Sequence, residues 1–239
     1  MQRAVLDRLN GDRAAERAVA LVTALGGGAQ ALVYPDGEGA GDALPEAVTA
    51  AAKDALRADR SGQVEAGDET WFVHVHNPPA RMVIVGAVHI TQALARMAEA
   101  AGYAVVVCDP RRAFADAARF PAIEVSTEWP DDALNRLTPD HRTAVVTLTH
   151  DPKIDDPALE VAVRAPVFYI GALGSRRTHG KRLERLREKG FTEDELGRIH
   201  APIGLAIGAR SPAEIAVSIM AEVTQVRRTP PAPAGEGSS

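Results

Sequence analysis

The sequence predicts an α/β protein built on a Rossmann-like, doubly wound parallel sheet, preceded by a small amino-terminal α/β domain. Three observations carry that prediction. Apolar runs recur after Arg81: MVIVGA (82–87), AVVVCD (104–109), AVVTLTH (144–150) and VFYIGA (167–172). Stretches with a helical period separate them, so each run is a strand covered on both faces and the connections are right-handed crossovers. Just ahead of the pattern, Asn77-Pro78-Pro79 interrupts regular structure, because proline blocks a continuing helix and restricts the residue before it. Domains are therefore drawn at 1–79 and 80–228, with a Pro/Gly/Ser tail at 229–239 that lacks core-forming residues and is expected to be disordered.

Taken in order, 18–24 and 29–34 are short β-leaning runs on either side of Gly26-Gly27-Gly28, and 44–56 is Ala-rich with a helical period. Residues 62–66 are weakly strand-like, whereas 70–76 (TWFVHVH) alternate as a half-buried strand should. His74 and His76 share a strand face and could ligate a metal, but no third ligand is identifiable, and a half-buried edge is the simpler reading. Beyond the break, 91–101 is an amphipathic helix, 122–125 a weaker strand, and 131–137 and 157–164 are helices. An Arg-rich helix spans 175–189, and another follows at 192–199, where Thr192 and Glu195 form a capping-box pattern. PIGLAIGA (202–209) is a connector or short strand, and Pro212 opens a last helix to about residue 226.

Composition narrows the function classes. The chain has 239 residues, 46% hydrophobic and 25% charged, enough for a sizeable core. With 27 Lys+Arg against 32 Asp+Glu the net charge is -5, which favours neither nucleic acid nor an anionic membrane as partner. Any anion site must be local. Apart from Lys53, Lys153, Lys181 and Lys189 the basic residues are arginines, whose fork suits carboxylate and phosphate. The single cysteine, Cys108, excludes an internal disulfide and a multi-cysteine metal site, and within a buried strand it acts as a small apolar side chain. Arg3, Asp7 and Arg8 interrupt the amino terminus before an apolar leader can form, and no run reaches the roughly 18 apolar residues of a membrane span. The chain therefore reads as cytoplasmic.

In a doubly wound sheet ligands bind where loops leave the carboxyl ends of the strands. The first such loop runs from Gly86 through His89 to Thr91. A dinucleotide fingerprint would have glycines where this chain has Val88 and Thr91, which weighs against standard NAD(P) binding, while the helix amino terminus still offers N–H donors to an anion. Asp109 ends the next strand, where an acid holding ribose hydroxyls usually sits, with Arg111 and Arg112 adding charge beside it. The alternative is an ordinary Asp-Pro turn. His150 and Asp151 follow the third strand and could serve acid-base chemistry, ligand contact or turn structure. The fourth loop holds Gly171, Gly174, Ser175, Arg176 and Arg177. Two arginines in the first turn of a helix oppose its dipole, an arrangement better explained if a phosphate or pyrophosphate lies there. Surface ion pairs to acids such as Glu184 are the alternative.

MVIVGAVHITQALARMAEAAGYAVVVCDPR, AVVTLTHDPKID, and above all YIGALGSRRTHGKRLERL followed by RIHAPIGLAIGARSPAEIAVSIMAEV resemble the carboxyl-terminal Rossmann-type domain of the XdhC/CoxI family, from about residue 81 to 226. That resemblance implies an accessory protein of molybdenum hydroxylases such as xanthine dehydrogenase or carbon monoxide dehydrogenase. Such a protein binds the molybdenum cofactor (molybdopterin), protects it while a terminal sulfur is installed, and helps deliver it to the apo-enzyme. It also implies the hydroxylase and a cysteine desulfurase as partners, and a homodimer. The chain departs from the family pattern at Val88, at Ala206, where many members have Asp, and at Gly26-Gly27-Gly28-Ala29, where a Gly-Gly-Cys segment is usual. Those departures weigh against direct sulfur handling more than against cofactor holding. The expectation is a cofactor-binding chaperone with no catalytic residue and no metal ligand set. Its transiently bound cofactor would be held by Gly86, His89, Asp109, Arg111, His150, Gly171, Gly174, Ser175, Arg176 and Arg177. An NAD(P)-dependent oxidoreductase using the same cleft, and a scaffolding protein with an empty one, are the alternatives.

Overall fold

The computed structural model describes residues 2–229, which form two compact units, one ending at Pro78 and the other opening at Pro79. From residue 230 the tail expected to be disordered lies outside the described residues. Among the described residues no helix is long and apolar enough to cross a membrane.

The first unit runs α1 (Arg3–Ala14), β1 (Val19–Ala24), β2 (Gln30–Tyr34), β3 (Gly37–Gly41), α2 (Glu46–Ala58), β4 (Gly62–Ala66) and β5 (Glu69–His76). Its five strands form an antiparallel sheet in the order β3-β2-β1-β5-β4. Strand alternation divides the apolar side chains between the faces: α2 packs Val48, Ala52 and Leu56 over Val22, Trp71 and Val73, and α1 sets Val5 and Leu9 against Val19, Leu21 and Leu32. β5 lies between β1 and β4, which corrects the edge-strand reading of the His74/His76 segment. Its alternation arises because one face carries Trp71 and Val73 inward while Phe72 and His74 face the less covered side. The sequence reading also missed α1, whose inward stripe reduces to Val5, Leu9 and Asp12, and β3. The GEGAG segment has no β-forming side chains. It pairs with β2 because a Cβ on Gly39 would come 2.1 Å from the Tyr34 ring and one on Gly41 would come 2.3 Å from the Gln30 carbonyl.

The second unit runs β6 (Ala80–Val85), α3 (His89–Ala100), β7 (Tyr103–Cys108), β8 (Glu124–Ser126), α4 (Pro130–Leu137), β9 (Thr143–Thr147), α5 (Pro152–Ala162), β10 (Tyr169–Ala172), α6 (Arg176–Glu188), α7 (Glu193–Leu196), β11 (Ile199–His200) and α8 (Pro212–Arg228). The six strands are parallel, and read from the β8 end their order is β8-β7-β6-β9-β10-β11, the 3-2-1-4-5-6 winding of a Rossmann sheet. The apolar runs are continuous because both faces are covered. Met82 and Ile84 join α3 and α8 in one core, and Val83 and Val85 join α4, α5 and α6 in the other. α5 begins at Pro152 rather than at residue 157, since the Asp151 side chain caps it at the Lys153 N–H (3.0 Å) and the helix continues through Pro157. The helix expected over 192–199 is only Glu193–Leu196, with the foreseen capping box at its start; Ile199–His200 leaves it to pair with β10. The 202–209 segment is a loop rather than a strand. Glu222 of α8 holds it by accepting from the Gly204 N–H (2.7 Å) and from the Tyr169 hydroxyl (2.5 Å).

Candidate functional site at the sheet's carboxyl rim

Winding reverses at β6, so the switch point of the sheet lies between β6 and β9. Gly86 turns the chain there with φ +106°, and a Cβ on it would lie 2.5 Å from the Thr149 methyl, so the loops after β6 and β9 meet at a glycine-only approach. On the β7 side of this point the polar groups satisfy one another. Asp109 is fully buried, and its carboxylate accepts from the Ala87 N–H (2.8 Å), the Arg111 N–H (3.0 Å), and the Arg111 Nε (2.9 Å) and Nη2 (2.8 Å). Burial pushes the acid up, but the bonds from Arg111 and Ala87 together hold it below the usual carboxylate range. Arg111 also lies over the Phe114 ring at 4.3 Å, and Arg119 donates to the Ala87 carbonyl (2.8 Å). The Thr91 hydroxyl donates to the Gly86 carbonyl. Asp109 thus braces the β6 turn instead of presenting a free carboxylate to a ribose. His89 is exposed at the first position of α3, and Val88 provides no side-chain cap there.

The β9/β10 side is organised differently. His150 sits at φ +64° with an exposed side chain, and its N–H donates to Asp155 (3.1 Å), which also accepts from the Thr149 hydroxyl (2.6 Å). Asp151 engages the α5 amino terminus rather than the imidazole. Burial raises the Asp155 pKa against the opposing pull of Thr149 and Arg182. Gly171 is buried in β10 beneath Ile203, whose Cδ1 would lie 2.4 Å from an added Cβ. It is a packing position under the rim. Gly174 (φ +141°) makes the exit turn, and Ser175 caps α6 by accepting from the Thr178 N–H (3.2 Å). Arg176 and Arg177 then occupy the first turn. Both are exposed, the turn has no acidic residue, and neither has an ion-pair or hydrogen-bond partner among the described residues, Glu184 included.

Behind them, between α5 and α6, lies a cavity of about 200 Å³ lined by His150, Asp155, Asp156, Arg177, Lys181 and Arg182, among others. Arg182 has not been anticipated from sequence. Its side chain is 2% exposed; Nη2 donates to the Leu173 carbonyl (2.9 Å) and lies 3.8 Å from Asp155, while Nε and Nη1 have no partner. Its signal was its place one helical step before Leu186, on the inward stripe of α6. Asp156 is engaged by Arg185 through a two-pronged bond (2.6 and 2.9 Å). Cys108 is no nucleophile: its thiol donates to the Glu128 carbonyl (3.3 Å), and burial pushes its pKa up to about 12. Among the described residues no group of three or more His, Cys, Asp or Glu could hold a metal, and the His74 and His76 rings, 4.1 Å apart, remain a pair. The β9/β10 side of the rim therefore carries exposed positive charge, while the β6/β7 side is bonded within itself.

Residues 82–223 match the XdhC Rossmann domain. The chain is 37% identical over 168 residues to the molybdenum cofactor insertion chaperone PaoD of Escherichia coli (strain K12), covering 70% of this chain and 45% of that protein. It is 34% identical over 179 residues to the uncharacterized protein YqeB of the same organism, covering 73% and 32%. It is 32% identical over 158 residues to a Bacillus subtilis (strain 168) protein described as a probable xanthine dehydrogenase subunit, covering 66% and 46%. Each match thus spans less than half the length of the relative. A crystal structure described as a xanthine dehydrogenase from Bacillus halodurans superposes with a TM-score of 0.74 at 26% identity, covering 95% of this chain and 67% of that one. With its Rossmann winding, its rim loops and more than half its length within that domain, the chain belongs to the XdhC family.

Proposed function

We propose that this chain is an accessory protein that holds the molybdenum cofactor as cargo at the carboxyl rim of its parallel sheet. It assists the cofactor's maturation and passes it to a molybdenum hydroxylase such as xanthine dehydrogenase or carbon monoxide dehydrogenase. The observation that carries this reading is the pair of unpaired guanidiniums, Arg176 and Arg177, in the first turn of α6. Each opposes the helix dipole at a cost of about 0.3–1 kcal/mol, and a phosphate seated there reverses the sign because it meets helix N–H donors and both arginine forks. Gly174 and Ser175 shape that turn, and His150 stands at the neighbouring strand end. Gly86, whose own N–H donates to the Cys108 carbonyl, turns the chain so that the N–H groups at the opening of α3, from His89 on, supply a second set of donors for a pyrophosphate extended by a nucleotide. Asp109 and Arg111 hold the Ala87 amide in place, and Gly171 lets Ile203 pack beneath the rim.

The names of PaoD and of the Bacillus subtilis relative support the cargo and the class of recipient. Because the lone thiol is buried, we place any sulfur donation on a partner such as a cysteine desulfurase, with the exchange in the cytoplasm and the chain acting as a homodimer. The test is anaerobic loading with a molybdopterin source, gel filtration, then pterin fluorescence and elemental molybdenum on the protein peak. Wild type should retain pterin. Replacing both Arg176 and Arg177 by Ala should weaken retention by about tenfold or more, the loss of one or two charge-assisted bonds at about 1.4 kcal/mol per tenfold. Stoichiometric NADPH titration without pterin retention would replace this reading by the oxidoreductase one.

A further inference from the structure

We infer that the cavity between α5 and α6 is a separate subsite for one phosphoryl group, headed by the buried guanidinium of Arg182. A guanidinium only 2% exposed, with two unpartnered nitrogens, is an expensive arrangement unless an acceptor completes it. Nothing among the described residues does so: the Leu173 carbonyl takes Nη2 alone, and Asp155 stands beyond hydrogen-bond reach at 3.8 Å.

The charges around the cavity point the same way. The two acids in its wall are already engaged, Asp155 by Thr149, the His150 amide and a 3.8 Å ion pair with Arg182, and Asp156 by Arg185 of the same wall. Lys181 and Arg177 reach the same cavity with no acid of their own, so its net excess is cationic and suits a dianion. At about 200 Å³ the space admits a phosphoryl group with ordered water. Its mouth shares His150 and Arg177 with the rim described above, so a phosphate ester of the cargo or free inorganic phosphate could fill it. Only the first source rests on the cofactor-holding reading.

The probe is inorganic phosphate titrated into the full chain at low ionic strength, followed by calorimetry and phosphorus NMR. The expected result is a saturable phosphate-binding component that persists when Arg176 is replaced by Ala, is weakened at least tenfold by Arg182→Gln and severalfold by Lys181→Glu, and is unchanged by Arg119→Ala. Lys181 is exposed, so its variant reports even if Arg182→Gln fails to fold. Absence of saturable binding, or binding indifferent to Lys181→Glu, overturns the subsite. If phosphate binds and cargo pterin competes for it, the ester is the occupant; if phosphate binds and no pterin is retained, the subsite stands and the cofactor reading falls. Pterin retained at full strength by Lys181→Glu with no phosphate binding leaves that reading intact and removes this one.

Discussion

The two halves of the parallel sheet's rim solve the same topological problem in opposite ways. On the β6/β7 side a buried acid, Asp109, collects donors from Ala87 and Arg111, so the charged groups at the turn find their partners within the fold. On the β9/β10 side a buried base, Arg182, is left with two open donors, and the arginines above it face solvent without an acid. A satisfied network rigidifies and specifies structure, whereas an unsatisfied one holds stability in reserve until a ligand completes it. In a protein with net charge -5 the unsatisfied half is where the proposed anion meets local positive charge.

Mutation should separate the halves by sign. Asp109→Ala leaves the Arg111 guanidinium and the Ala87 N–H without their acceptor and should destabilise by about 3 kcal/mol in urea unfolding, the usual cost of breaking a buried pair. A loss under about 1 kcal/mol would mean that the brace is not one. Next in size, Gly86→Ala meets both the φ of +106° and the Thr149 methyl, and should cost about 2 kcal/mol. Arg182→Met combined with Asp155→Asn should do the reverse of Asp109→Ala: removing both members of a loose buried ion pair should leave stability within about 1 kcal/mol of wild type or raise it, while phosphate binding is lost. Strong destabilisation there would show that the pair is structural.

Much of this division could not be read from the sequence. The parallel strands were legible because burial on both faces writes Val and Ile at consecutive positions, as in 82–85 and 104–107. The four rim loops followed from strand ends alone. By contrast β3 and β11 carry almost no pattern, one held by close backbone approach at Gly39 and Gly41 and the other only two residues long. Within the rim, Asp109 and Arg111 read as a ligand-facing acid and base, yet they face each other. Arg182 was hard to single out among the arginines of α6, since its one mark in GKRLERL is its place four residues before Leu186. Partner choice is a three-dimensional property, and residue type records only the capacity for it.

Proton linkage offers a smaller but cleaner contrast. The Asp109 pKa is depressed in the folded state, so its contribution is present above the unfolded carboxylate value of about 3.9 and is lost as pH falls through the folded pKa. Asp155 is raised, so its charge opposes folding at neutral pH, and stability recovers as pH falls through its folded pKa toward about 3.9. Comparing pH-stability curves of wild type, Asp109→Asn and Asp155→Asn should therefore show difference curves of opposite slope below neutrality; parallel slopes would contradict the assignment.

Hydrogen exchange of the full chain, with and without bound cargo, tests most directly where the anion is held. Protection on loading should concentrate in peptides covering 173–185, with 109–119 unchanged because those groups are already bonded to one another. Protection of 109–119 with 173–185 unaltered would put the ligand on the satisfied half and contradict the account.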